Sequence, residues 1–297
     1  MDAALAGKIT RAVDAMRSSA CAFVAIAAML LASHPASAAG EDELISLINS
    51  RRAETRGCDG GREAAVGPLA PSPVLAQVDA VAASRDLRKA LTAAGYRAAM
   101  ATTIVLSGVA SASEAARIVE THCEVLRNRR YAEIGVGRDG SAWRINLAAP
   151  LLAGDLGDWR EAGKAVLRLV NDARKRGGTC GKQRFAPALP LAWNDRLGAA
   201  ALAHSRDMAA HDYFDHVDRS GGAVAQRAGR EGYPWRVIGE NIAAGLGSPR
   251  QVVTGWLASP GHCANILSPD FAEMSAAYAI NDEAAMEIYW TQVFGRR

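Results

Sequence analysis

A self-match at constant offset constrains this chain more than any other feature. Residues 44–75 (LISLINSRRAETRGCDGGREAAVGPLAPSPVL) align without a gap on residues 166–197 (VLRLVNDARKRGGTCGKQRFAPALPLAWNDRL), 122 positions later. Asn49, Arg52, Cys58, Arg62, Pro68, Leu69 and Leu75 each meet an identical residue. Gly95-Tyr96 and Gly108 recur at an offset of 137 as Gly232-Tyr233 and Gly245, and His122-Cys123 recurs at 140 as His262-Cys263. Self-similarity of this kind marks a structural unit used twice, and 297 residues suffice for two ordinary domains. The expectation is a tandem duplication, with domains at residues 40–150 and 159–297.

The offset rises from 122 to 137 because the second half holds about fifteen extra residues between Met208 and Gly232. They include YFDHVDRSGG, which carries His216, and the first half has no counterpart of it. Thr103 stands where the second half has Glu240. The first half thus keeps a scaffold and lacks most of the groups capable of chemistry.

Residues 1–38 read as a secretory signal peptide. Lys8, Arg11 and Arg17 precede an apolar run from Ala20 to Ala32, and Ala36-Ser37-Ala38 offers a small-residue cleavage site. The run is shorter than the ~20 residues a spanning helix needs, and no later stretch is apolar enough to cross a membrane. Export to the periplasm or beyond permits disulfides among Cys58, Cys123, Cys180 and Cys263. Four cysteines allow three pairings. Each half carries one early and one late cysteine, so the duplication favours Cys58–Cys123 and Cys180–Cys263. A formal net charge of +3 and only short basic runs, at 127–130 and 174–176, exclude a nucleic-acid footprint.

In the second half, apolar positions at helical spacing predict a helix from Trp159 to Lys175, ended by Gly177-Gly178. Asn194 or Asp195 is placed to cap a helix through His211. A short helix is expected around Gly222–Glu231, and Ser248-Pro249 opens one through Leu257. Alternation over Met274–Ile280 and Met286–Val293 predicts an antiparallel hairpin that packs one face on helices. Helices first and strands last indicate an α+β layered domain. In the first half, the GxGxxG match at 135–140 precedes a strand-like segment rather than a helix, so it reads as a hairpin turn.

Three residues gather in glycine-bounded settings between Tyr213 and Leu267. His216 sits in a polar loop, suited to ligate a metal or act as a base. Glu240 lies in the apolar stretch IGENIAAG, where a buried carboxylate is costly without a partner. His262 follows Gly261, which permits close backbone approach, and precedes Cys263. Its match in the first half, His122, outlives the other two, which suggests a role in the fold.

The second half resembles the CAP superfamily of cysteine-rich secretory, antigen 5 and pathogenesis-related proteins, and the bacterial SCP-like domains among them. The resemblance rests on HSRDM at 204–208, YFDH at 213–216, GENIAAG at 239–245, WLASPGHCANIL at 256–267 and YWTQVFG at 289–295. It implies an α-β-α sandwich, a small antiparallel sheet between helical layers, for each repeat, the first one degenerate. It also implies a cleft holding two histidines and two acidic residues. By position these are His216, His262 and Glu240, with Ser259 where the second acid would fall. That set suits a divalent metal such as zinc with an open position. The expected function is a secreted binding module for a divalent metal, a small or lipid ligand, or a cell-envelope component. The alternatives are a metal-assisted hydrolase of cell-wall or peptide material, with Glu240 as general base, and a structural envelope module.

Overall fold

A computed structural model describes residues 35–78, 80–151 and 156–297, and of these the side chains of all but 35–38 and 80–85. The expected signal peptide, residues 1–38, therefore falls almost wholly outside the described residues. Gly40–Arg297 packs as one compact unit.

In the first half the chain forms α1 (Pro35–Arg52), β1 (Ala70–Pro71), α2 (Pro73–Gln77), α3 (Ala80–Ala93), β2 (Ala98–Leu106), α4 (Ala112–Val119), α5 (Cys123–Leu126), β3 (Glu133–Asp139) and β4 (Ala142–Pro150). The second half forms α6 (Trp159–Arg176), β5 (Gly178–Cys180), β6 (Gln183–Phe185), β7 (Ala192–Trp193), α7 (Asp195–His211), α8 (Val224–Arg230), β8 (Val237–Ala244), α9 (Pro249–Leu257), α10 (Pro260–Leu267), β9 (Glu273–Ile280) and β10 (Ile288–Arg296).

The helices start where their capping chemistry allows. Asp158 accepts from the amides of Arg160 and Glu161, Asn194 from those of Arg196 and Leu197, and Ser248 from that of Gln251. Each side chain satisfies amides that the first helical turn leaves without a partner. Helix α10, absent from the sequence expectation, begins with Pro260 after Ser259, a residue with extended backbone. Gly261 meets no neighbour within 4 Å of where a Cβ would stand, so its role is not close approach.

The fold is α+β, and its two four-stranded sheets share one strand order, β1-β3-β4-β2 and β7-β9-β10-β8. Each sheet is mixed rather than purely antiparallel. A two-residue edge strand pairs in parallel, Ala70 with Glu133 and Ala192 with Glu273. That strand only brings the chain alongside the sheet before the next helix begins. The other pairings are antiparallel, and they place Thr103 opposite Asn146 and Glu240 opposite Val293. Counted from Glu133–Ala148 in one sheet and Glu273–Gly295 in the other, Thr103 and Glu240 hold the same register position.

Equivalent polar contacts occur in both halves. The Asn49 amide bonds both backbone atoms of Leu69, as the Asn171 amide does with Leu191. Tyr96 donates to Glu133, and Tyr233 to Glu273. The disulfides join Cys58 to Cys123 and Cys180 to Cys263, each with a Cα–Cα distance of 5.6 Å.

Helix α7 covers one face of the second sheet, and α6 and α9 lie on the other. Strand β10 is consequently buried at Ile288 through Gly295, where alternation alone had suggested a single covered face. The two halves pack directly, with α9 against β1. Gln251 donates to Glu133 across the junction at 2.7 Å, and the Asn49 amide donates to the carbonyl of Ala258 at 3.2 Å. Gly245, at φ +74°, faces Ala132, whose Cβ would stand 2.9 Å from any added Cβ. Among the described residues no helix is long and apolar enough to cross a membrane.

Candidate functional site

Glu240 projects from β8, the edge strand next to β10, with its side chain only 2% exposed. Burial of a carboxylate demands partners, and both oxygens have one. Oε2 accepts from Arg227 Nη2 at 2.6 Å and Oε1 accepts from His216 Nδ1 at 2.8 Å. Arg227, itself buried on α8, also donates to the carbonyls of Gly222 and His216, at 2.6 and 3.0 Å. One guanidinium therefore neutralises the carboxylate and fixes the loop that carries His216. The insertion supplies the histidine, and α8, which follows it, supplies the arginine.

His204, on α7, completes the support. It is fully buried, its Nε2 donates to the carbonyl of Asp215 at 2.9 Å, and that nitrogen lies 3.9 Å from Glu240 Oε1. Its Nδ1 has no hydrogen-bond partner among the described residues. Desolvation is the main force holding its pKa below the ordinary imidazole value, although the Glu240 charge opposes it.

His262 arrives from the first turn of α10, and its Nδ1 is hydrogen-bonded to the hydroxyl of buried Ser259 at 2.9 Å. An amide network fastens this turn to β8. Asn241 donates to the carbonyl of His262 and to Gln292 Oε1, and Asn265 donates to the carbonyl of Glu240 and to Asn241 Oδ1. The Nε2 atoms of His216 and His262 make no hydrogen bond among the described residues.

His216 and His262 line one cavity of about 380 Å³, with Phe214 and Ile242 beside them. Asp215 lines it too, and the remaining lining comes from the first half, including Thr55, Arg62 and Val66. Glu240 lies behind His216 and is not part of the lining. Among the described residues, no group of three or more His, Cys, Asp or Glu side chains is arranged to hold a metal ion. His122, by contrast, is exposed and makes no hydrogen bond among the described residues, so the surviving histidine of the first half does not brace that fold.

Of the sequence candidates, the structure joins Glu240 to His216 by a hydrogen bond and brings His262 to the same cleft. Sequence reasoning missed Arg227, His204, Asn241 and Asn265 as supports. His204, Asn241 and Asn265 lie inside the quoted motifs HSRDM, GENIAAG and WLASPGHCANIL, and for Arg227 the signal was the cost of burying Glu240, which called for a cation without saying which.

Desolvation, with a smaller contribution from the charge of His216, holds the pKa of His262 at about 3, against an ordinary value of 6.5. The unfolded chain therefore binds more protons between these values, and the stabilising effect of a neutral His262 is lost as the pH falls through that window. In an NMR titration the His262 Cε1–H resonance is expected to keep its neutral position down to about pH 4. A midpoint near 6.5 would contradict the desolvated environment.

Residues 167–294 match the sequence model of the family described as CAP, the cysteine-rich secretory protein family. The chain is 33% identical over 131 residues to the uncharacterized protein YkwD of Bacillus subtilis (strain 168), a match covering 44% of this chain and 46% of that protein. It therefore spans less than half the length of that relative. It is similar to a solved extracellular protein containing a SCP domain from Bacillus anthracis str. Ames, with 23% identity, a TM-score of 0.40 and coverage of 53% of this chain and 52% of that one. It is also similar to an outer surface protein from Borrelia burgdorferi, with 19% identity, a TM-score of 0.41 and coverage of 49% of this chain and 99% of that one.

Proposed function

From the premise that residues 167–294 form a CAP domain, we propose that the protein is an exported, non-enzymatic binding module. Its first half is a degenerate copy of the same domain. Its cleft takes a divalent ion such as zinc, or a small ligand, on the Nε2 atoms of His216 and His262. The observation that carries this reading is the hydrogen bond from His216 Nδ1 to Glu240, itself held by Arg227. A carboxylate behind an imidazole fixes its tautomer and aims the other nitrogen outward, the usual support of a ligating histidine. Ser259 offers His262 the same service.

Two imidazoles alone make an open, exchangeable site, and a bound ion would offer its free positions to an anionic or carbonyl ligand. The hydrolase alternative needs Glu240 to take a proton from water. Its buried ion pair with Arg227, at 2.6 Å, opposes that role. The degenerate-copy reading draws support from the shared strand order and from Asn and Arg contacts repeated at the offsets seen in the sequence.

Cobalt(II) titrated into metal-free protein is expected to bind at one equivalent, with visible absorption characteristic of imidazole ligation. His216→Ala and His262→Ala should each abolish it, and Glu240→Gln should weaken it roughly 10- to 100-fold. Cobalt binding indifferent to all three substitutions would remove the cleft from consideration as a metal site.

A further inference from the structure

The cleft is a composite of both halves. From the first half, Thr55, Arg62 and Val66 face His216, His262 and Phe214 of the second. That first-half segment is held firmly. The Cys58–Cys123 disulfide closes it, and the amide of Val66 donates to the carbonyl of Arg52 at 2.9 Å. Arg127, buried, donates to Glu63 at 3.0 Å and to the carbonyls of Glu54 and Ala64 at 3.1 and 2.6 Å. Phe214 packs over Gly67, where an added Cβ would meet its ring at 3.3 Å. A wall braced in this way is pre-organised, so a ligand does not bear the cost of ordering it.

Three charged side chains, Arg62, Glu63 and Asp215, line the cleft. Glu63 is paired with Arg127, and Asp215 accepts from the amide of Val217 at 2.9 Å with no ion pair among the described residues. The Arg62 guanidinium has neither an ion pair nor a hydrogen bond among the described residues. Beside it stand the Nε2 edges of His216 and His262. The uncommitted guanidinium thus meets an apolar surface made by Val66, Phe214 and Ile242. A cavity of about 380 Å³ lies at the small end of ligand sites.

We propose that the cleft binds a small organic carboxylate with an apolar body, and that the first half supplies both its charge partner, Arg62, and its apolar wall, Val66. This rests on the reading of the cleft as a ligand site, and it does not require a bound ion. Arg62 is placed to engage the carboxylate through its planar fork of donors, as guanidinium groups do. The apolar body then lies between Val66 and Phe214. The first half, which lacks the histidine–glutamate pair, acts in this arrangement as the specificity wall of its neighbour.

The test uses the full mature chain, metal-free, titrated with benzoate and with its neutral counterpart benzyl alcohol, and read by amide chemical shifts. Benzoate is expected to perturb Thr55, Val66, Phe214 and His262 and to bind at least about tenfold more tightly than benzyl alcohol. Arg62→Ala should weaken benzoate at least about tenfold, and Arg62→Lys should recover part of the loss. Because Arg62 is exposed, its replacement leaves the fold intact. Val66→Trp should block the cleft, with Ala65→Trp as a second filling variant. Equal affinity for the two probes, or unchanged benzoate binding by Arg62→Ala, overturns the proposal. Cobalt binding is measured separately on the wild-type chain. Loss of benzoate binding with cobalt retained removes this inference alone, and the reverse result removes only the metal reading.

Discussion

Glu240→Ala is expected to lower the unfolding free energy by about 3–5 kcal/mol, the largest effect of any single substitution in the cleft. The carboxylate and Arg227 are both buried and 2.6 Å apart. Removing one partner leaves the other as an uncompensated charge in low dielectric, which costs more than the pair contributed. Asp218 Oδ2 stands 3.8 Å from Arg227 Nη1 but is engaged by Arg230 at 2.7 Å, so it offsets only part of the charge that Glu240 leaves behind. At about 2–4 °C per kcal/mol for a unit of this size, the midpoint of thermal unfolding should fall by roughly 10 °C. Arg227→Met should destabilise comparably, and the double variant Glu240→Ala/Arg227→Met should cost clearly less than the two single changes added together. Strict additivity in that cycle would show that the ion pair is not what holds the His216 loop.

Arg174→Ala and Arg52→Ala are expected to cost about 3–5 kcal/mol each, one in either half of the chain. Both guanidinium groups are almost fully buried, and both donate to backbone carbonyls instead of to a carboxylate. Arg174 reaches Leu189, Ile266 and Ser268, at 2.8, 2.8 and 2.6 Å. Arg52 reaches Gly67 at 2.8 Å, Tyr131 at 3.2 Å and the carbonyl of Leu126. Each arginine therefore ties its helix to two separate stretches of chain, and truncation leaves several buried acceptors without donors. Lysine should not rescue either site, because an ammonium lacks the planar fork that spans carbonyls in different directions. Denaturant unfolding of the four variants checks this, and a loss below about 1 kcal/mol at either position would contradict the clamp.

Much of the fold was legible from one-dimensional pattern. Helix α6 is found over Trp159–Arg176 where the apolar spacing placed it, Asn194 caps α7, and Ser248-Pro249 opens α9. The cysteine pairing followed from the repeat, because each half contains one early and one late cysteine. Helix α10 was not legible. Its eight residues, PGHCANIL, are too few for a periodic signal, and Pro-Gly at its start reads equally as a turn. The burial of both faces of β10 was also hidden, since Thr291 and Gln292 interrupt its apolar residues and read as a solvent face, although both are buried.

The candidate site divides in the same way. Glu240 could be suspected because its neighbours are apolar and an isolated buried carboxylate is unfavourable. Its partner could not be named, because Arg227 lies thirteen residues away on a short helix with two other arginines nearby, Arg219 and Arg230. His262 looked ambiguous beside His122, and the difference between them is one of surroundings. His122 is solvent-exposed, whereas His262 is pinned by Ser259 and faces a cavity.

By itself the sequence determined the helix starts and the cysteine pairing. A capping residue acts on amides two or three positions away, and each disulfide closes within one half, so spacing along the chain was enough to find them. Only the tertiary structure decided what the cleft is made of. Arg227 behind Glu240 and the Thr55–Val66 wall opposite the histidines depend on how separate segments pack, and the wall also depends on how one half meets the other. No local pattern encodes that meeting. It arises from the fit of Gly245 against Ala132 and of α9 against β1, where shape and burial act between residues more than a hundred positions apart.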